Sequence, residues 1–190
     1  MRRGDMAEAS AVTGLEDESE EADAFLLWVL AFSELIAFGI LLGAFLVMSV
    51  THAEAFAVAR LHLNPGLAAA NTLILLTSGW QAALAARAGA SLPERRRGLI
   101  IAALFGFAFA AVKIYEYAGE IRFAGEETFQ AFFELYFLVT GFHLMHVVFG
   151  ALVLLLVAWR PSRSNTALIT TLWHVIDIVW IVMFPLIYLS

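Results

Sequence analysis

An all-α, integral membrane bundle of five helices is predicted by three features of this sequence. Apolar residues make up 62% of the 190 and charged residues only 15%, and the mean hydropathy is +0.83. A soluble domain carries roughly a quarter of its residues charged. The charges here gather in short stretches and leave five apolar runs, each long enough to cross a bilayer, which takes about 20 predominantly apolar residues. Those runs lack the polar face that every helix of a soluble bundle must present to water.

The first run extends from about Phe25 to Val50, interrupted only by Glu34. The second covers Leu67 to Ala86 and the third Gly98 to about Ala118. The fourth, Phe129 to Trp159, is long enough to tilt or to begin in the interface. The fifth covers Ala167 to Leu189. Pro65, Pro93 and Pro161 fall between runs, where a missing N–H and a fixed φ do no harm. Pro185 falls in the last turns of the fifth run, where a kink is permitted.

Residues 1–24 form a separate region. Eight acidic residues stand there against Arg2 and Arg3, in an Ala/Ser-rich context without an apolar core, so the segment is not a secretory signal. A disordered or surface-lying acidic tail is expected.

Lys and Arg fix the orientation. With the N-terminus inside, that side holds Arg2, Arg3, Arg87, Arg95, Arg96, Arg97, Arg160 and Arg163, and the other side only Arg60 and Arg122. Eight against two is a positive-inside bias, to which acidic residues contribute little. The N-terminus is therefore expected inside and the C-terminus outside, in a bacterial inner (cytoplasmic) membrane crossed several times.

Ionisable side chains inside spans are costly and are by default functional or buried between helices. Glu34 lies about a third of the way through the first span, beside Ser33. It reads either as a hydrogen-bonded packing group or as a proton-handling or ligand-responsive carboxyl. Lys113, Glu116 and Glu120 recur at i, i+3 and i+7 and share one face of the third span. A buried ion pair between Lys113 and Glu116 follows from that spacing.

His143 and His146 on the fourth span, and His174 and Asp177 on the fifth, are each i, i+3 pairs. Facing each other, they could supply metal ligands, but such pairs also serve as interhelical hydrogen-bonding groups. No metal site is assigned.

Cysteine is absent, which removes disulfides, thiolate metal sites and cysteine nucleophiles. No phosphate-binding Gly-rich loop, G-x-S-x-G elbow, H-E-x-x-H pattern or basic aromatic patch occurs, so no catalytic centre and no nucleic-acid partner are assigned. Gly39 and Gly43 have the G-x-x-x-G spacing that permits close helix contact.

Five local patterns in order then carry a resemblance. They are FSELIAFGILLGAF around Glu34, LNPGLAAANTLILLTSGWQAALAARAG with Asn71, Thr72, Thr77 and Ser78, and Glu116-Tyr117 closing the third span. The fourth span adds TGFHLMHVVFG with Thr140, Gly141, His143, His146 and Gly150, and the fifth LWHVIDIVWIVMFPLIYL with Trp173, His174, Asp177, Trp180 and Tyr188. Over residues 25–190 the chain resembles subunit III of haem–copper oxidases, with five spans where that subunit has seven, as if the first two helices were missing. The stretches SELIAFG, LHLNP, VKIYEYAGE and ELYFLVTGFHLMHV are most similar to the short accessory protein of bacterial nitric oxide reductase operons.

The resemblance implies a subunit without redox cofactor that packs on a membrane-embedded catalytic haem–copper subunit. Haem and metal are then expected only in that partner, and phospholipid is expected bound in a cleft between helix groups. It places Glu34 on the family's membrane glutamate, linked to lipid and protons. It makes Glu116, His143, His146, His174 and Asp177 an interhelical polar set, which Lys113 joins by its spacing. Lys113 stands where oxidase members more often carry a neutral polar residue. Assembly, stability or proton uptake of the catalytic subunit is the implied role. The competing class is a free-standing transporter or channel with Glu34, Lys113 and Glu116 as an ion path, against which stands the lack of paired broken helices and inverted halves.

Overall fold

The computed structural model describes the backbone of residues 3–189 and the side chains of residues 25–189. Six helices follow in order: α1 (Arg3–Thr51), α2 (Ala53–Arg60), α3 (Pro65–Ala86), α4 (Leu92–Glu120), α5 (Gln130–Trp159) and α6 (Arg163–Tyr188). No strand occurs among the described residues. Five stretches are long and apolar enough to cross a membrane: Phe25–Thr51, Pro65–Ala86, Leu92–Glu120, Gln130–Trp159 and Arg163–Tyr188. The expected acidic tail, residues 1–24, lies outside the residues whose side chains are described.

The helix starts follow from their caps rather than from hydropathy. Asn64 caps α3, its side-chain oxygen accepting from the Leu67 N–H at 2.9 Å, and Pro65 takes the first turn, where no N–H is needed. α4 begins six residues before its apolar run. Ser91 and Glu94 form a capping box in which the Glu94 carboxylate accepts from the Ser91 N–H and hydroxyl, each at 2.7 Å. Ser162 caps α6 by accepting from the Asn165 N–H at 3.1 Å. α6 runs on through Pro185 to Tyr188. The short α2, between the first and second spans, had no signature in the apolar pattern. It buries Phe56 and Ala59, and Phe56 meets Phe132 of α5 edge-on at 5.1 Å.

The chain divides into two compact units, Met1–Glu34 and Leu35–Ser190. Within the second, α3, α4, α5 and α6 pack as a ring in which α3 touches α4 and α6, and α5 touches the same two. α1 from Leu35 onward reaches α5 through Phe38 and Phe45. The ring is drawn tight by small residues, as lipid-embedded helices require when no hydrophobic effect separates chain from solvent. Ala68, Ala82, Ala85, Ala102, Ala103 and Ala151 are buried there.

Two close approaches set its geometry. A Cβ on Gly106 or on Gly150 would lie 2.8 Å from the Trp173 ring, so the indole of α6 occupies a notch that α4 and α5 leave open by lacking side chains. Gly98 similarly lets α4 approach Ala85 of α3, where a Cβ would come to 2.9 Å. Gly39 and Gly43 behave otherwise than their spacing suggested. No atom lies within 4 Å of a Cβ built on either, so that stripe packs against nothing among the described residues.

Candidate functional site

The sequence-predicted polar residues separate into a network on α4, α5 and α6, a central aromatic box, and a set of pins that hold α3 to α4 and α6. The network is built by α4. Its face bearing Lys113, Glu116, Tyr117 and Glu120 turns toward α5 and the end of α6, with Lys113 fully buried and Glu116 5% exposed. The Lys113 ammonium donates to Glu116 Oε2 at 2.8 Å, to the Tyr136 hydroxyl at 3.0 Å and to the Tyr188 hydroxyl at 2.9 Å. A lysine has three N–H donors, and all three are used.

Tyr188 in turn donates to Glu116 Oε1 at 2.9 Å. Its proton being committed there, the Tyr136 hydroxyl 3.1 Å away is the donor between the two phenols. Both oxygens of Glu116 are therefore bonded, and the pair forms a closed circuit across three helices. The ammonium also lies 4.8 Å from the centre of the Tyr117 ring and 5.0 Å from that of Tyr136. The Tyr117 hydroxyl donates to Thr140 at 2.7 Å. Glu120, one turn beyond Glu116 and buried, makes no hydrogen bond of standard geometry with either oxygen.

The central box holds His143, which is fully buried, with neither ring nitrogen hydrogen-bonded. Its contacts are aromatic. The ring stacks on Trp180 at 5.3 Å and 25°, and meets Phe109 and Phe38 edge-on at 5.8 and 6.0 Å. The interhelical hydrogen-bonding role expected of it is replaced by packing. His146 turns back on its own helix, its Nδ1 2.8 Å from the Phe142 carbonyl, and meets the Phe38 ring.

The pins join α3 to α4 and α6. Ser78 donates to the Ala102 carbonyl at 2.6 Å and accepts from the Trp173 indole N–H at 3.1 Å. Thr72 accepts from the Trp180 indole at 2.9 Å. Asn71 donates to the Phe109 carbonyl at 3.2 Å. Asp177 stands 3.3 Å from His174 Nδ1 and packs where Gly79 lacks a side chain.

The two i, i+3 pairs do not converge: the α5 histidines sit in the aromatic box, while His174 and Asp177 face α3. No three His, Asp or Glu side chains are grouped as metal ligands among the described residues. Glu34 belongs to the other compact unit, where it is half-buried on α1.

The spacing on α4 foretold the Lys113–Glu116 pair but not its phenolic partners. Tyr136 and Tyr188 come from positions 23 and 75 residues away from Lys113 and meet it only through the helix ring. The available signal was that Tyr136 lies in the second turn of α5 and Tyr188 in the last turn of α6, the helix ends that antiparallel packing brings near the C-terminal half of α4.

Comparison with known proteins agrees with this arrangement of motifs. The family model described as cytochrome c oxidase subunit III matches residues 23–190. A Synechocystis protein named cytochrome c oxidase subunit 3 is 33% identical over 141 residues, covering 67% of this chain and 57% of its own length. The protein of that name from Thermostichus vulcanus is 27% identical over 200 residues, 98% of each chain. That from Corynebacterium diphtheriae is 30% identical over 141 residues, 67% of each. The match thus spans little more than half of the Synechocystis relative and nearly all of the Thermostichus one. The chain belongs to the cytochrome c oxidase subunit III family.

Proposed function

We propose that the chain is a non-catalytic membrane subunit that packs on the catalytic subunit of a respiratory haem–copper oxidoreductase and supports its assembly, stability or proton uptake. The observation that carries this is the closed Lys113–Glu116–Tyr188 circuit lying within a family match over residues 23–190. Lys113 and Glu116, two of the three residues of the alternative ion path, instead bond one another and two phenols. With all three ammonium donors used and both Glu116 oxygens bonded, the Lys113–Glu116 pair stiffens the helices around it. On this reading haem and metal sit in the partner, this chain binds phospholipid, and Glu34 is the lipid- or proton-linked carboxylate of α1.

The partner on this reading is either a nitric oxide reductase or an oxygen-reducing oxidase, and the oxidase proton-path role is not carried over to the third span. Lys113, where oxidase members more often carry a neutral polar residue, is here fully engaged with Glu116 and two tyrosines.

The test is purification of the tagged full-length chain from its native membrane in mild detergent, with identification of co-eluting proteins and an absorption spectrum. Co-elution with a haem-bearing subunit is expected, and the preparation's consumption of nitric oxide or of oxygen assigns the class. A chain that elutes alone without haem, and that drives ion flux in liposomes, would be a transporter instead. In the same preparation Glu34→Gln should leave the haem spectrum intact while shortening sustained turnover. Loss of assembly in that variant would make Glu34 a packing residue only.

A further inference from the structure

We infer that the face of α6 centred on His174 is the surface through which this chain docks against a transmembrane helix of its catalytic partner. Ala167, Thr171, His174, Ile178, Ile181 and Pro185 form one stripe along that face, at alternating spacings of four and three residues. The other five are exposed, and the His174 side chain is 40% exposed. A mean spacing of about 3.5 residues is the period at which two helices stay in contact along one seam. No other described element covers this seam, whose N-terminal part is small and whose middle is polar.

The polar middle lies where a bilayer offers no polar partner. His174 stands close to the midpoint of the 26-residue α6. Its Nδ1 faces Asp177 Oδ2 at 3.3 Å, and Asp177 is buried against α3, where a Cβ on Gly79 would run into the carboxyl group. Among the described residues that is the only hydrogen bond of either side chain, and Asp177 Oδ1 is buried with no partner. With one ring nitrogen turned to the carboxyl, His174 Nε2 keeps its hydrogen-bonding capacity for the open side of the seam. Hydrocarbon supplies neither donor nor acceptor, so an ionisable group left facing it is costly. A helix that brings a hydroxyl or amide side chain to this depth completes the bond.

The open face of α5 shows the contrast. Leu138, Met145, Phe149, Leu152 and Leu156 are exposed there, and none carries a side-chain nitrogen or oxygen, as suits contact with lipid tails. A second copy of this chain fits the α6 seam poorly. A two-fold axis along the membrane normal would set one His174–Asp177 dyad against another and crowd two carboxyl groups in a dry interface. The occupant is therefore a different helix, and on the reading proposed above the haem-bearing subunit provides it. The docking face rests on that reading, to which it adds the place of contact.

The photo-reactive residue p-benzoylphenylalanine replaces Val182, exposed at the edge of the seam, or Leu152 on α5 as a control. The tagged full-length chain is illuminated in its native membrane and then purified in mild detergent. A covalent adduct with the haem-bearing polypeptide is expected from position 182, and lipid adducts only from position 152. Ile178→Trp, which fills the seam and leaves the dyad intact, should lower the yield of co-purified haem about fivefold, and Leu152→Trp should not. His174→Leu should lower it similarly, while His174→Gln, which keeps a polar group at the seam, should retain more. Suppose haem co-purifies but position 182 yields only lipid adducts, adducts with a second copy of this chain, or no more than position 152 does. Any of these would overturn the docking face and leave the proposed function standing. So would an unchanged haem yield in both Ile178→Trp and His174→Leu. A chain that purifies without haem and forms no such adduct would overturn both.

Discussion

Lys113 and Tyr188 are hydrogen-bonded at 2.9 Å across 75 residues of chain, tying the outer half of α4 to the last turn of α6. The bond matters because the ammonium is fully buried and the phenol is one of the three acceptors that make its charge tolerable there.

Removing one member of this network should therefore cost more than removing the ion pair. Lys113→Met leaves the Glu116 carboxylate buried with the Tyr188 hydroxyl as its remaining donor, and should destabilise the protein by about 3 kcal/mol. Lys113→Met/Glu116→Leu, which leaves neither charge, should be more stable than either single variant. Thermal unfolding in detergent, read as a double-mutant cycle, checks this. Additive losses would mean that the two charges do not depend on each other.

Trp173 gives a second prediction. Gly106→Ala and Gly150→Ala each place a methyl 2.8 Å from the indole, and each should destabilise by about 2 kcal/mol through overpacking. Gly39→Ala and Gly43→Ala meet no atom within 4 Å and should change the melting temperature of the isolated chain little. Trp173→Phe should recover part of the Gly150→Ala loss while giving up the indole bond to Ser78.

His143 should behave as a ring and not as a base. With neither nitrogen hydrogen-bonded and Trp180 stacked at 5.3 Å, His143→Phe should be tolerated within about 1 kcal/mol. His143→Ala opens a cavity beside Trp180 and should cost about 3 kcal/mol. Tryptophan fluorescence and thermal unfolding separate the two. Equal damage from phenylalanine and alanine would restore a polar role for the imidazole.

Topology follows from the arginines. A periplasm-active reporter fused after Ser190 should be active and one fused after Arg97 inactive, as the eight-to-two bias requires. The opposite pattern would mean that a span has been miscounted.

Much of this was legible in the sequence for a physical reason: a bilayer demands long apolar runs, and five runs predicted the five spans that α1 and α3 to α6 provide. Helix ends were less legible, because they are set by Asn64, Ser91 and Ser162 as caps and not by hydropathy. α2 was missed since its eight residues are too few for a periodic signal. On α4 the i, i+3 spacing gave the ion pair. Its phenolic partners are distant in sequence, and spacing along one helix carries no information about which face a neighbouring helix presents. The surroundings of His143 were illegible for the same reason. Its chemistry suggested hydrogen bonding, but Phe38, Phe109 and Trp180 from three other helices leave it none.

The notch that receives Trp173 also has a place in time. α6 follows α4 and α5 in the chain, so until it is made Gly106 and Gly150 have no indole to fill their notch and Lys113 lacks its bond to Tyr188. A nascent chain that stops before Trp173 is chemically marked as unfinished, carrying an incompletely solvated ammonium in the outer half of its bundle.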